Sequence, residues 1–146
     1  MTGTSATPAK ARHRGREVAV QMLYQWEVGQ CEIEEVIETF WAAKLPGAEG
    51  IGDRIRGFAE QLVRYTVGNL QQIDPLITET AEHWRLSRLA ALDRLILRLA
   101  IGELLQGETP PNVVINEALE LAKTFSGEDS AKFVNGVLDA VKKKLR

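Results

Sequence analysis

A run of basic residues near the N-terminus is the first feature of the sequence that could do chemistry. Lys10, Arg12, Arg14 and Arg16 occur with no acidic residue among them and bring residues 1–16 to a formal charge of +4. Ammonium and guanidinium groups bind phosphate oxygens, and a basic arm on an acidic body is typical of proteins that contact nucleic acid. Basic runs also bind membranes and acidic proteins, so composition alone leaves these alternatives open.

The segment SGEDSAKFVNG, residues 126–136, is a second candidate site. Its small polar residues precede a helical pattern in which Lys132 and Phe133 fall within the first turn. Free N–H groups at a helix start and a lysine both attract phosphate, and an exposed phenylalanine stacks on bases. The alternative is that Phe133 belongs to the core and that Asp129 or Ser130 caps the helix.

Residue patterns that indicate catalysis are missing from the sequence. It contains neither G-x-S-x-G nor H-E-x-x-H, and GAEGIG fits neither the dinucleotide nor the Walker spacing. Cys31 is the single cysteine, which excludes an internal disulfide, and His13 and His83 lie too far apart to suggest a metal cluster. We therefore expect no cofactor and no enzymatic activity.

Length and composition fit one ordinary domain, with 146 residues of which 45% are hydrophobic. No run approaches the roughly 20 apolar residues that cross a bilayer, and the N-terminus lacks the apolar core of a signal peptide, so we expect a cytoplasmic protein without membrane contact. The net charge of −2 conceals a charge of −10 over residues 17–139 and of +4 over residues 140–146. We interpret the C-terminal cluster as a helix-end feature.

Apolar residues recur at three- and four-residue spacing along most of the chain, which predicts an all-α fold. Glycine and proline divide the pattern into about seven helices, at residues 10–28, 33–44, 53–71, 74–84, 88–105, 111–125 and 129–145. Residues 1–8 contain too little apolar material to fold and are predicted to form a disordered leader.

Two local features of these helices carry further predictions. In the fourth helix, Asp74 is predicted to be the N-cap, with Pro75 at the first helical position. On the most apolar helix, the fifth, Arg98 is predicted to form a structural ion pair. The acids considered as its partner are Asp93, Glu103 and Glu117.

Three stretches of the chain resemble the transcription antitermination factor NusB family. They are RGREVAVQMLYQWE (14–27), LDRLILRLAIGELL (92–105) and PPNVVINEALELAKTFSGEDSAKFVNGVLD (110–139), and the similarity runs in order from about residue 11 to the end. The resemblance implies two small three-helix subdomains with an extra helix, over about residues 9–72 and 73–146.

The resemblance also implies a non-catalytic RNA-binding factor. Such proteins bind the single-stranded boxA element of nascent RNA together with NusE, a small ribosomal subunit protein, and help the RNA polymerase elongation complex through ribosomal RNA operons. RNA contacts would then fall on Arg12, Arg14, Arg16, Asp129, Lys132 and Phe133, and the NusE contact on Tyr24, Asp93 and Arg94. Lys10 extends the basic arm, and Val20 shares a short stripe with Tyr24, so both join these predicted surfaces.

The sequence departs from the family pattern at His13 and Gly15, which interrupt the basic arm, and at Gly102, where an aromatic residue is common. We expect Gly15 to loosen the first helical turn, and the smaller number of arginines to weaken RNA binding and its salt dependence. Two alternatives stay open. The chain could be a self-associating module whose Val20 and Tyr24 face is buried in a homodimer, or a non-catalytic RNA-binding partner of a separate rRNA methyltransferase.

Overall fold

The computed structural model of the protein describes residues 7–81 and 89–145. These residues form seven α-helices and no strand, which confirms the all-α prediction. None of the described helices combines the length and the apolar character that crossing a membrane requires. The helices are α1 (Pro8–Gly29), α2 (Ile33–Ala42), α3 (Asp53–Gly68), α4 (Leu70–Thr80), α5 (Ala91–Gln106), α6 (Pro111–Phe125) and α7 (Glu128–Lys144).

The chain divides into two compact units, residues 1–63 and 64–146. The division falls inside α3, earlier than the position near residue 72 that the resemblance implies, because the last turn of α3 packs with the second unit. An example is Thr66, which is fully buried beside Gly102 of α5. Several predictions concern residues outside the described ranges. They are the end of the fourth helix at residue 84, the start of the fifth at residue 88, the surroundings of His83 and most of the predicted leader.

In the first unit, α1 and α2 pack together. Each presents a stripe of apolar side chains at helical spacing, and burial of this stripe stabilises helices of this length more than intrinsic propensity does. The buried apolar residues of α1 and α2 are Val18, Ala19, Val20, Met22, Leu23, Val36, Ile37 and Phe40. α1 ends where Gln30 adopts a left-handed conformation, at φ 51°.

In the second unit, α5, α6 and α7 pack against one another, and α4 packs on α5 and α7. α5 is the most buried helix, as its apolar sequence predicts, and Leu95, Ile96, Leu97 and Ile101 are completely inaccessible to solvent. Gly107 ends α5 in the left-handed region at φ 72°, and Gly127 interrupts the chain before α7 at φ 129°. Both glycines lie in the gaps between the helices predicted at 88–105, 111–125 and 129–145.

The predicted start of the fourth helix is wrong. α4 begins at Leu70, so Asp74 and Pro75 lie inside it. The break from α3 occurs at Asn69, whose side-chain amide donates a 2.7 Å hydrogen bond to the Tyr65 carbonyl, while the Gln72 and Ile73 amides donate to the Asn69 carbonyl. An asparagine that satisfies the end of one helix and starts the next replaces the expected aspartate cap.

Candidate nucleic-acid interface

The basic arm is the start of α1. The Thr7 hydroxyl accepts a 3.2 Å hydrogen bond from the Lys10 amide, and Pro8 occupies the first turn, where its missing N–H costs nothing. Residues 8–16 are therefore helical, with Lys10 and Arg14 on one side of the helix and Arg12 and Arg16 on another.

Lys10 and Arg12 are exposed, so their charges are accessible to a polyanion. Arg14 is half-buried, and its Nη2 donates to the carbonyl oxygens of Gly47 and Glu49, at 3.1 and 2.6 Å. Because this guanidinium already binds the loop between α2 and α3, Arg14 has a structural contact that the sequence did not reveal.

Arg16 corrects the prediction for the arm. Only 3% of this residue is exposed, and its guanidinium lies 5.2 Å from the centre of the Phe58 ring in α3. A side chain buried to this extent cannot meet RNA directly without leaving the packed interior. The accessible charge of the arm is thus smaller than its sequence indicates.

Gly15 also behaves differently from the expectation that it loosens the first turn. An added Cβ would lie 2.9 Å from Cγ2 of Ile55 and 3.1 Å from Cδ2 of Phe58. The glycine allows the α1 backbone to contact these two side chains closely. It therefore places the arm rather than freeing it. His13, between the arginines, lies 3.5 Å from the Glu17 carboxylate one turn away.

The second cluster of predicted RNA contacts lies at the start of α7, in the second unit. Asp129 and Lys132 are exposed and Phe133 is half-buried, between the two alternatives of core residue and free stacking platform. Gly127 is the N-cap, and no side chain caps the helix, so neither Asp129 nor Ser130 has the capping role considered above. The amides of the first turn are accordingly not occupied by a capping side chain.

The residues predicted to contact a protein partner differ in accessibility. Tyr24 is 45% exposed, but Val20 is 1% exposed and is a core residue, so its assignment to a contact surface is wrong. Tyr24 and Val20 are four residues apart on α1, and this spacing cannot distinguish an exposed residue from a core residue. Only the packing of the helix distinguishes them.

Asp93 and Arg94 are half-buried at the start of α5. Arg94 Nη1 donates to the Leu89 carbonyl at 3.0 Å, and Asp93 Oδ1 is buried without a hydrogen-bond donor among the described residues.

Sequence reasoning missed two residues of these units. Phe58 lies in the predicted helix 53–71, and spacing along the chain gives no signal that an aromatic of α3 meets arginines of α1. Asp74, interpreted as a cap, is the acid that pairs with Arg98. The ion pair of Arg98 is thus confirmed, and its partner Asp74 was not among the acids considered. Over residues 7–81 and 89–145, no group of three or more side chains is arranged to hold a metal ion.

The all-helical fold and the exposed cations at the start of α1 indicate the class of this protein, which is a small helical binding protein. Residues 13–143 match the model of the NusB family. The chain is 44% identical over 135 residues to the transcription antitermination protein NusB of Solibacter usitatus. The aligned region covers 92% of this chain and 90% of that protein. The chain therefore belongs to the NusB family.

Solved structures agree with this assignment. The T. maritima NusB structure is similar with a TM-score of 0.82 and 37% identity, covering 96% of this chain and 94% of that one. A structure described as antitermination factors NusB and NusE in complex with dsRNA is similar with a TM-score of 0.79 and 28% identity, covering 92% of this chain and 98% of that one.

Proposed function

We propose that this protein is a non-catalytic, cytoplasmic transcription antitermination factor that binds boxA RNA together with a NusE-type protein. The observation that carries the proposal is the similarity, over nearly the whole chain, to a NusB solved with NusE and dsRNA. The relative from Solibacter usitatus is likewise named an antitermination protein. The RNA polymerase elongation complex is the assembly in which such a factor would act.

The exposed cations Lys10 and Arg12 support a phosphate-binding role for the start of α1. Electrostatic attraction of this kind is independent of base sequence, and it weakens as salt rises because counterions are released. Lys132 at the uncapped start of α7 supplies a second cation, next to N–H groups that favour anions. Phe133 adds an aromatic surface on which an unstacked base can stack, a contact that favours single-stranded RNA whatever the base.

The contact with the NusE-type partner is proposed on Tyr24, Asp93 and Arg94. Tyr24 is a large, exposed aromatic residue, and tyrosine is among the residue types enriched at the centres of protein interfaces. Asp93 and Arg94 are half-buried at the start of α5, so each keeps part of its side chain accessible to a partner. Self-association through the exposed side of α1 would compete with this contact.

The proposal is tested by anisotropy titration of a labelled boxA-type RNA, with and without the NusE-type protein, at two salt concentrations. We expect binding that strengthens with the partner and weakens with salt. A scrambled RNA of equal length is the control for sequence preference, and light scattering determines the oligomeric state. Absence of RNA binding under both conditions, with a dimer that persists unchanged, would favour a self-associating module instead.

A further inference from the structure

Phe58 lies against two arginines of the basic arm. Its ring centre is 5.7 Å from the guanidinium carbon of Arg12 and 5.2 Å from that of Arg16. Both distances fall within the roughly 6 Å over which the face of an aromatic ring attracts a cation. Because residues four apart share one face of a helix, a single ring of α3 contacts successive turns of α1.

The ring itself is held in place by packing. Phe58 is half-buried, and the absence of a Cβ at Gly15 lets the α1 backbone lie directly against it. Arg16, which is 3% exposed, contacts the same ring from within the packed part of the unit. The surface on which the Arg12 guanidinium lies is therefore fixed before any ligand arrives.

The charge of Arg12 stays available to a ligand. The residue is exposed, and within residues 7–81 and 89–145 its guanidinium forms no ion pair with a carboxylate. A long, flexible arginine loses conformational freedom when it binds a phosphate, and a side chain that is already oriented loses less. The same ring contact that restricts Arg12 thus favours its binding to an anion.

We infer that Phe58 is a positioning residue for RNA binding, which holds the Arg12 guanidinium in place to meet an RNA phosphate while Arg16 anchors the ring from the buried side. The inference rests on the proposed function, and it assigns to a residue of α3 a role that acts through α1. In this arrangement Phe58 does not touch RNA and affects RNA affinity only by orienting Arg12. The losses of RNA affinity caused by changing the two residues should therefore not add.

The test compares Phe58→Leu, which keeps an apolar side chain but removes the ring, with Phe58→Tyr, which keeps the ring face. We expect Phe58→Leu to weaken binding of a single-stranded boxA-type RNA about two- to fivefold, and Phe58→Tyr to bind like the unchanged protein. The slope of log affinity against log salt should fall by up to about 0.7, as it does when Arg12→Ala removes one phosphate contact. Adding Phe58→Leu to Arg12→Ala should cause little further loss.

Phe40→Leu is the matched control, since Phe40 is a buried aromatic of the same unit and packs against Trp41. It should lower the melting temperature without altering the salt slope. If Phe58→Leu is unfolded at the assay temperature, Phe58→Met replaces it, and the NMR signal of Arg12 Nε–Hε reports directly whether the ring contact is lost.

The outcomes separate the inference from the function on which it rests. If the unchanged protein binds no RNA with or without a NusE-type partner, the proposed function fails. If it binds and Arg12→Ala weakens binding, but the ring-free variant keeps full affinity and slope, or its loss adds fully to that of Arg12→Ala, the positioning role is overturned and the function stands.

Discussion

Arg98 of α5 binds the carboxylate of Asp74 in α4 through two parallel hydrogen bonds. Nε lies 2.9 Å from Oδ1 and Nη2 lies 3.0 Å from Oδ2, and the two side chains are 12% and 26% exposed. A guanidinium and a carboxylate paired in this way form one of the stronger polar contacts in proteins. The pair sits beside Pro75, where α4 lacks a backbone N–H, so it fastens α4 to α5 where the helix is weakest.

Breaking this ion pair should destabilise the protein measurably. We expect Asp74→Ala to lower the free energy of unfolding by about 2 kcal/mol, because Arg98 keeps its charge in a largely buried position without this partner. Urea denaturation of Asp74→Ala, Arg98→Ala and the double variant gives the coupling between the two. The control is Lys144→Ala, since Lys144 and Glu79 form a 3.0 Å pair with side chains 41% and 58% exposed. Equal losses for both pairs would contradict this expectation.

Gly102 should be intolerant of even a methyl group. An added Cβ would lie 2.6 Å from the Thr66 hydroxyl and 3.5 Å from the Thr66 backbone, so we expect Gly102→Ala to cost about 1–3 kcal/mol despite the better helix propensity of alanine. Gly136→Ala in α7 is the matched control, because no atom lies within 4 Å of its added Cβ. That variant should be more stable by about 0.5–1 kcal/mol. Thermal unfolding measures the stability of both variants. The packing argument is refuted if the two substitutions change stability in the same direction.

The basic residues of the arm should separate into two groups. We expect Lys10→Ala combined with Arg12→Ala to weaken RNA binding about tenfold at moderate salt and to lower the free energy of unfolding by no more than about 1 kcal/mol, since both side chains are exposed and only the contact of Arg12 with Phe58 is lost. Arg16→Ala should instead lower the free energy of unfolding, by about 1–3 kcal/mol, because its side chain is buried against Phe58. Anisotropy titrations paired with urea denaturation distinguish the two groups. A stable Arg16→Ala protein with lost RNA affinity would show that Arg16 contacts RNA after all.

Tyr24 and Val20, four residues apart on α1, should also differ. We expect Tyr24→Ala to weaken binding of the NusE-type partner by about tenfold or more while stability changes little, because Tyr24 is an exposed aromatic. Val20→Ala should lower the free energy of unfolding by about 1–3 kcal/mol through lost packing, with partner affinity retained at temperatures where the protein is folded. Calorimetric titration measures the affinities. Unchanged partner binding by Tyr24→Ala would remove Tyr24 from the proposed interface.

Much of the fold could be predicted from the sequence alone. Helical periodicity located α1, α2, α5, α6 and α7 to within a few residues, because each has an apolar stripe that is bounded by glycine, proline or polar residues. Gly107 and Gly127 lie in the predicted gaps between helices, and both have positive φ. These features are local, and the spacing of a few neighbouring residues is sufficient to determine them.

The boundary between α3 and α4 could not be predicted in this way. Asp followed by Pro is a common helix start, yet α4 begins at Leu70, so Asp74 lies inside the helix, where its carboxylate accepts a hydrogen bond from Arg98, 24 residues away. The sequence also indicated that Arg98 needs an acid, and offered three nearby candidates. Which acid is close depends on how α4 packs against α5, and that is a property of the tertiary structure.

The candidate site divides along the same line. The sequence by itself determined the helical fold class, the family resemblance and the presence of a cationic helix start, since these depend on residue type and short-range spacing. Only the tertiary structure decided that Arg16 and Val20 are buried, that Arg14 binds a loop and that Phe58 lies against Arg12. The physical reason is that burial and cation–π contacts depend on distances between helices, which residues far apart in the chain set together.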